Sequence, residues 1–269
     1  MGTIGFIGSG NMAEVLIKGI IAAKVYTADN VLVSDIRPER LEYLARQYSV
    51  QLAQNNTALI DSADVVVLSV KPQNMDALLE EIKGTLKESV LVISIAAGIT
   101  TAKIAGTLGD VPIIRVMPNT PALVGEGASA LFSKNAPAES MAIALQLFNA
   151  VGKAVVVDSE DLIDAVTAVS GSGPAYFFLM MEEMIKTAEK LGLDADTAKE
   201  LVLQTAKGAA LLAEQADGRG ETPAELRRKV TSPGGTTEAA LKVFAEKQFS
   251  QLVTAALTTA RDRGRELSG

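Results

Sequence analysis

The chain has 269 residues, 48% of them apolar, and a formal net charge of −7. That length exceeds one ordinary domain of ~100–150 residues and implies two, with ample apolar material for a sizeable core. There is no Cys, no His and no Trp, which excludes a disulfide framework, a thiolate nucleophile, a His-dependent triad and ordinary zinc, copper or iron–sulfur sites.

Val- and Ile-rich runs at 3–7, 31–35, 64–70, 90–95 and 112–117 are nearly continuous, the pattern of parallel strands buried on both faces. Helical patterns lie between them, at 12–23, 38–47 and 73–83. This alternation predicts an α/β domain built on a doubly wound parallel sheet. Two short strands near 128–132 and 154–157 bracket a helix at 138–149. Beyond Asp158 no β-rich run remains, and 160–168, 174–191, 195–215, 223–229, 236–246 and 249–267 read as helices. The predicted boundary therefore separates 1–158 from an all-helical domain at 159–269. The sequence Ser170 to Tyr176 reads as a loop within that second domain.

The helical half is too apolar for one chain to cover. Ala175 to Met181 is apolar on every face, so it must be buried on all sides. Ala206, Gly208, Ala209 and Ala210 permit close helix approach, and Phe249, Leu252, Val253, Ala256, Leu257 and Ala260 form one stripe. A twofold interface with a second copy is the expectation.

Ile7 closes the first strand, and Gly8-Ser9-Gly10-Asn11-Met12-Ala13 opens a helix. This is G-x-G-x-x-A in the strand–turn–helix setting of a dinucleotide fingerprint, so the first domain is predicted to be a Rossmann domain. Gly8 permits the tight turn, Gly10 lets a pyrophosphate approach the backbone, and Ala13 lets helix and strand pack. The second strand ends Ser34-Asp35-Ile36-Arg37. Asp35 stands at about the distance, ~20 residues on, where an acid reads the ribose hydroxyls of NAD. Ser34 and Arg37 suit the 2′-phosphate of NADP instead, and a capping acid beside a surface Arg is the bland alternative. Ser69-Val70-Lys71-Pro72 and Ala96-Ala97-Gly98 end later strands, where ligands of open α/β sheets bind. Small residues at 96–98 admit a flat nicotinamide ring. Lys71 is either functional or a solvated loop Lys. Asn119 and Thr120 follow another strand on that edge, and the Asn amide suits a carboxamide.

Nothing in the sequence suggests nucleic acid or membrane as a partner. The chain is acidic, and Arg227-Arg228-Lys229 reads as a solvated helix face. The first residues enter an apolar run without a basic start, unlike a signal peptide. Phe6 stands where myristoylation wants a hydroxyl residue. Residues 89–102, taken as the least polar long stretch, are too short to span a bilayer. A soluble cytoplasmic protein acting on a small molecule is expected.

Six segments together carry a family resemblance: Gly5-Phe-Ile-Gly-Ser-Gly-Asn-Met12, Val70-Lys-Pro72, Ala96-Ala-Gly98, Arg115-Val-Met-Pro-Asn-Thr-Pro121, Ser170-Gly-Ser-Gly-Pro-Ala-Tyr176 and Thr231-Ser-Pro-Gly-Gly-Thr-Thr237. In this order they resemble the pyrroline-5-carboxylate reductases over essentially the whole chain. The resemblance implies a Rossmann domain followed by a helical dimerisation domain, with dimers able to assemble into a larger ring. It implies NADPH or NADH as cofactor, and hydride transfer to the imine carbon of 1-pyrroline-5-carboxylate to give L-proline. It also assigns Asn56 to the cofactor site and Ser232, Gly234, Gly235, Thr236 and Thr237 to the substrate. The chemistry of that last loop is compatible. Gly234 and Gly235 can take φ > 0, and free N–H groups where a helix restarts form a cradle for a carboxylate. The Thr237 hydroxyl suits the ring nitrogen. A protonated imine accepts hydride without a proton donor, so the lack of His is no obstacle.

Three rival readings remain. A β-hydroxyacid dehydrogenase would carry a Lys four residues after its Gly-x-Gly turn, but here Phe177 stands there. A reductase of another cyclic imine acid would share every motif. A non-catalytic dinucleotide sensor would bind cofactor without turnover.

Overall fold

The apolar runs become the sheet. In a computed structural model, which describes residues 2–268, the first elements are β1 (Ile4–Ile7), α1 (Asn11–Ala22), β2 (Val31–Ser34), α2 (Pro38–Tyr48), β3 (Gln51–Leu52) and α3 (Asn56–Ser62). They are followed by β4 (Val65–Leu68), α4 (Met75–Ile82), β5 (Leu91–Ser94), α5 (Thr101–Leu108), β6 (Ile113–Met117), β7 (Gly127–Phe132), α6 (Ala138–Asn149) and β8 (Gly152–Val156). The sheet order is β3-β2-β1-β4-β5-β6-β7-β8. Every residue of β1, β4 and β5 is buried, as two-sided coverage requires. Phe6, Leu16, Ile17, Leu44 and Phe148 pack on one face, and Leu59, Ile60, Leu79 and Ile104 on the other. Each such side chain contributes ~1.5–3 kcal/mol on burial.

Four features differ from the sequence expectation. The short edge strand β3 exists because Gln51 and Leu52 pair with Leu32 and Val33. Its two residues are exposed, so it leaves no apolar signature. Helices α3 and α5 were likewise hidden in short stretches, and both are capped at the N-terminus by side chains, Asn55 and Thr100. The sheet is not wholly parallel: β7 runs antiparallel to β6, while β8 runs parallel to β7. Finally, the segment from Ser170 is not a loop. Helix α7 (Leu162–Val166) continues through a π-helical turn, Thr167–Gly171, into α8 (Gly173–Lys190). A Cβ on Gly171 would lie 2.6 Å from Met117 Cε, the far end of a flexible side chain that would have to shift.

The remaining helices are α9 (Ala195–Asp217), α10 (Pro223–Lys229), α11 (Thr236–Glu246) and α12 (Phe249–Ser268). Asp194 caps α9, and Thr222 with Glu225 forms a capping box on α10. The chain divides into one compact unit of residues 1–174 with 259–269, and a second of residues 175–258. The sheet ends at Val156, close to the expected boundary, but α7 and the π turn pack on β6 and β7 and belong with the sheet. Among the described residues of the second unit, α10 and α11 bury no side chain, and Phe177, Phe178 and Leu179 are 69%, 61% and 58% exposed. The helical run Leu162–Lys190 is also long and apolar enough to cross a membrane by length and composition.

Candidate active site

The strand order reverses between β1 and β4, the place where open α/β sheets bind ligands. The loop after β1 turns there at Gly8, whose φ is +89°. A Cβ on Gly8 would stand 2.9 Å from the backbone carbon and oxygen of Ser69. Ser69 also pins the turn, its hydroxyl donating to the carbonyls of Gly8 (2.6 Å) and Ile7 (3.1 Å).

Two loop amides already have protein partners. The Gly8 N–H donates to the Ser34 carbonyl at 2.8 Å, and the Ser9 N–H donates to the Asp35 carboxylate at 2.7 Å. The Ser9 side chain is buried. Donors for an anion are therefore those of Gly10 and the first turn of α1, from Asn11 and Met12 onward, which lack helical partners. Gly10 is the N-cap, no side chain caps the helix, and a Cβ on Gly10 would meet nothing within 4 Å. The residues present fit a diphosphate at a helix N-terminus.

Ser34, Asp35, Arg37 and Asn56 come together beyond β2. Arg37 donates from Nε and Nη2 to the two carboxylate oxygens of Asp35, at 2.9 and 3.0 Å. Burial alone would raise the Asp35 carboxyl, but the Arg37 side chain and the Ser9 and Arg37 amides outweigh it and hold it below the ordinary carboxylate range. Asp35 and Arg37, which the sequence sets against each other as readers of two cofactors, are thus one ion pair. The Ser34 hydroxyl donates to the Asn56 side-chain oxygen at 2.8 Å, and the Asn56 amide donates to Glu81.

The other predicted positions divide. Lys71 and Pro72 are exposed at the strand end, Val70 packs against the core, and Ala97 is exposed beside buried Ala96. Gly98 has a different reason for being glycine. Its φ is +73°, and a Cβ there would lie 2.8 Å from the Leu267 carbonyl oxygen. Asn119 is buried, accepts from the Ala128 N–H at 2.8 Å and donates to the Ser170 carbonyl at 3.0 Å. Its amide therefore braces the fold through one N–H and one oxygen lone pair.

Two clusters escaped the sequence reading. Arg115, on β6 and 3% exposed, pairs with Glu160 at 3.0 Å and approaches Asp164 at 3.9 Å. Glu160 in turn accepts from both the N–H and the hydroxyl of Thr101, where α5 begins just after the 96–98 turn. A charge inside the run Ile113-Ile114-Arg115-Val116 was the available signal, since such a group is buried only when paired. The second cluster is Glu14, Arg40, Tyr43 and Tyr48, behind the glycine loop. No local pattern marks it.

The loop Thr231–Thr237 belongs to the second unit. Gly234 takes φ +72°, and Gly235 is the extended N-cap of α11 without a side-chain cap. The Gly234 N–H donates to Glu238, and the Gly235 N–H to the Ser232 carbonyl. This leaves the amides of Thr236 and Thr237 at the helix start, with Thr237 half-buried and Ser232 and Thr236 exposed.

A Rossmann sheet with an open diphosphate cradle at its switch point, joined to an apolar helical region, defines a dinucleotide-dependent oxidoreductase class. Residues 160–267 match the family model described as pyrroline-5-carboxylate reductase dimerisation, and residues 3–98 match that of NADP oxidoreductase, coenzyme F420-dependent. A pyrroline-5-carboxylate reductase of Pseudomonas aeruginosa is 48% identical, across 98% of this chain and 96% of that one. The solved structure of one from Coxiella burnetii superposes with a TM-score of 0.94 at 41% identity, covering 100% and 99% of the two chains. A Plasmodium falciparum pyrroline carboxylate reductase, solved with NADP bound, gives 0.87 at 31% identity, covering 100% and 98%. The chain belongs to the pyrroline-5-carboxylate reductase family.

Proposed function

We infer that this protein reduces 1-pyrroline-5-carboxylate to L-proline with NADPH or NADH. The relationship across 98% of the chain carries this reading, because it takes in both the glycine loop and the Thr231–Thr237 loop. The reduced nicotinamide supplies a hydride to the imine carbon. Gly10, Asn11 and Met12 hold the diphosphate by their amides, and the Ser34, Asp35, Arg37 and Asn56 patch takes the adenosine ribose. With Asp35 neutralised by Arg37, the patch accepts either a 2′-hydroxyl or a 2′-phosphate. The N–H groups at the start of α11 bind the substrate carboxylate, and the Thr237 hydroxyl orients the ring nitrogen. That nitrogen already carries the positive charge, so no side chain need deliver a proton to the reacting carbon.

The test is steady-state oxidation of each cofactor on addition of pyrroline-5-carboxylate. Turnover with this five-membered imine is expected, and none with either cofactor from folded protein overturns the reading. Faster turnover of a six-membered cyclic imine acid would reassign the substrate. Thr237→Ala is expected to lower kcat/KM by ~10-fold or more, the scale of one lost hydrogen bond, with dinucleotide affinity unchanged. Wild-type kinetics in that variant would remove Thr237 from the mechanism.

The assembly is a homodimer in this reading, with dimers joining into a larger ring, and the compartment is the cytoplasm. The exposed Phe177, Phe178 and Leu179 are buried by a second copy rather than by lipid, since Glu182, Glu183 and Lys186 follow on the same helix. Light scattering at low micromolar concentration is expected to give a multiple of 56 kDa, about twice the 28.1 kDa chain. An active species at the single-chain mass would refute it.

A further inference from the structure

Arg40 lies on α2, outside every motif named above, yet its side chain reaches the back of the glycine loop. Its Nε donates to the Ser9 carbonyl at 2.6 Å, and its Nη2 lies 3.5 Å from the Gly10 carbonyl. The same Nη2 donates to the Glu14 carboxylate at 2.5 Å. Glu14 is held in turn by the hydroxyls of Tyr43 (3.0 Å) and Tyr48 (2.8 Å), and Arg40 stacks 5.1 Å from the Tyr43 ring centroid. The guanidinium is therefore locked from two sides, with its side chain 18% exposed.

Peptide geometry gives this contact a consequence. In a trans peptide the carbonyl of one residue and the N–H of the next point in opposite directions. A guanidinium fixed on the Ser9 carbonyl therefore aims the Gly10 N–H away from itself. Through the Gly10 carbonyl it aims the Asn11 N–H likewise. These are the first two loop amides without protein partners, because those of Gly8 and Ser9 are taken by Ser34 and Asp35. A second consequence is electrostatic. Glu14 sits in the first turn of α1, where its negative charge would oppose a bound diphosphate. Arg40 lies against that carboxylate and offsets it. Burial would raise the Glu14 carboxyl, but hydrogen bonds from Arg40, Tyr48 and Tyr43 outweigh burial and hold it below the ordinary range.

We propose that Arg40 is a positioning residue for the dinucleotide diphosphate, acting through the Ser9–Gly10 and Gly10–Asn11 peptides. The inference rests on the cofactor reading given above. It assigns Arg40 to the part shared by NADH and NADPH, unlike Arg37, whose partner Asp35 lies at the ribose patch.

The test is isothermal titration of Arg40→Met and Arg40→Lys with NADH and with NADPH, beside the wild type and a thermal melt of each. Both variants are expected to weaken both dinucleotides equally, by about tenfold or more. Lys keeps the charge but cannot fork between the Ser9 carbonyl and Glu14. In turnover, the loss is expected in the KM for cofactor rather than in kcat. A role confined to folding would lower the melting temperature and leave affinity in the folded fraction untouched. Should Arg40→Met fail to fold, Arg40→Lys alone decides. Wild-type affinity in a folded variant overturns the proposal, and so does a loss confined to NADPH, which would make Arg40 a reader of the 2′-phosphate. If the wild type binds neither dinucleotide, the cofactor reading itself falls.

Discussion

Gly8→Ala weakens dinucleotide binding by about a hundredfold or more. Two costs combine at this residue. Its φ of +89° is a left-handed conformation that costs a residue with a Cβ ~1–2 kcal/mol. The added carbon would also stand 2.9 Å from the Ser69 backbone, and overpacking of that kind costs ~1–3 kcal/mol. The obstacle is backbone, not the end of a flexible side chain, so the loop must move. Movement breaks the contact in which Ser69 pins the Gly8 carbonyl and shifts the Gly10 and Asn11 amides that follow. Binding must then restore the strained geometry, and ~3 kcal/mol corresponds to roughly two powers of ten in affinity. Titration with NADPH measures the effect. Affinity within threefold of the wild type would show that the turn at Gly8 does not shape the site.

Arg115→Met destabilises the sheet-containing unit by ~3–5 kcal/mol, the usual result of removing one partner from a buried ion pair. Arg115 is 3% exposed, and the Glu160 and Asp164 side chains near it are 21% and 12% exposed. Without the guanidinium, two largely buried carboxylates face each other's neighbourhood uncompensated. Glu160 also holds the first N–H and the hydroxyl of α5 through Thr101. Its displacement therefore loosens the 96–98 turn that precedes the helix. Adding Glu160→Gln to Arg115→Met is expected to recover part of the loss, because a neutral amide is cheaper to leave buried than a carboxylate. Chemical denaturation of the single and double variants measures both effects. A change below ~1 kcal/mol for Arg115→Met would show that the pair is neutral, as exposed pairs are.

Much of this protein is determined by residues close together in the chain. Continuous Val and Ile runs specify β1, β4 and β5, since strands buried on both faces need apolar residues at every position. The Gly8-x-Gly10-x-x-Ala13 spacing marks the dinucleotide loop because turn, close approach and helix packing are all local demands. Six helices after Asp158 were legible from their apolar periodicity, and the unpaired apolar surface of α8 was legible from Ala175 to Met181. Tertiary structure decided the rest. Gln51 and Leu52 form a strand only because β2 offers them an edge. The direction of β7 follows from its pairing with β6, not from its residues. Which loop amides stay open depends on Ser34 and Asp35, each 26 positions along the chain from the amide it takes, Gly8 and Ser9. The burial of Arg115 depends on Glu160, 45 residues away. Periodicity reports how one segment meets solvent or core. It carries no record of which distant side chain completes a hydrogen bond, because that choice is made by the approach of elements that share no local pattern.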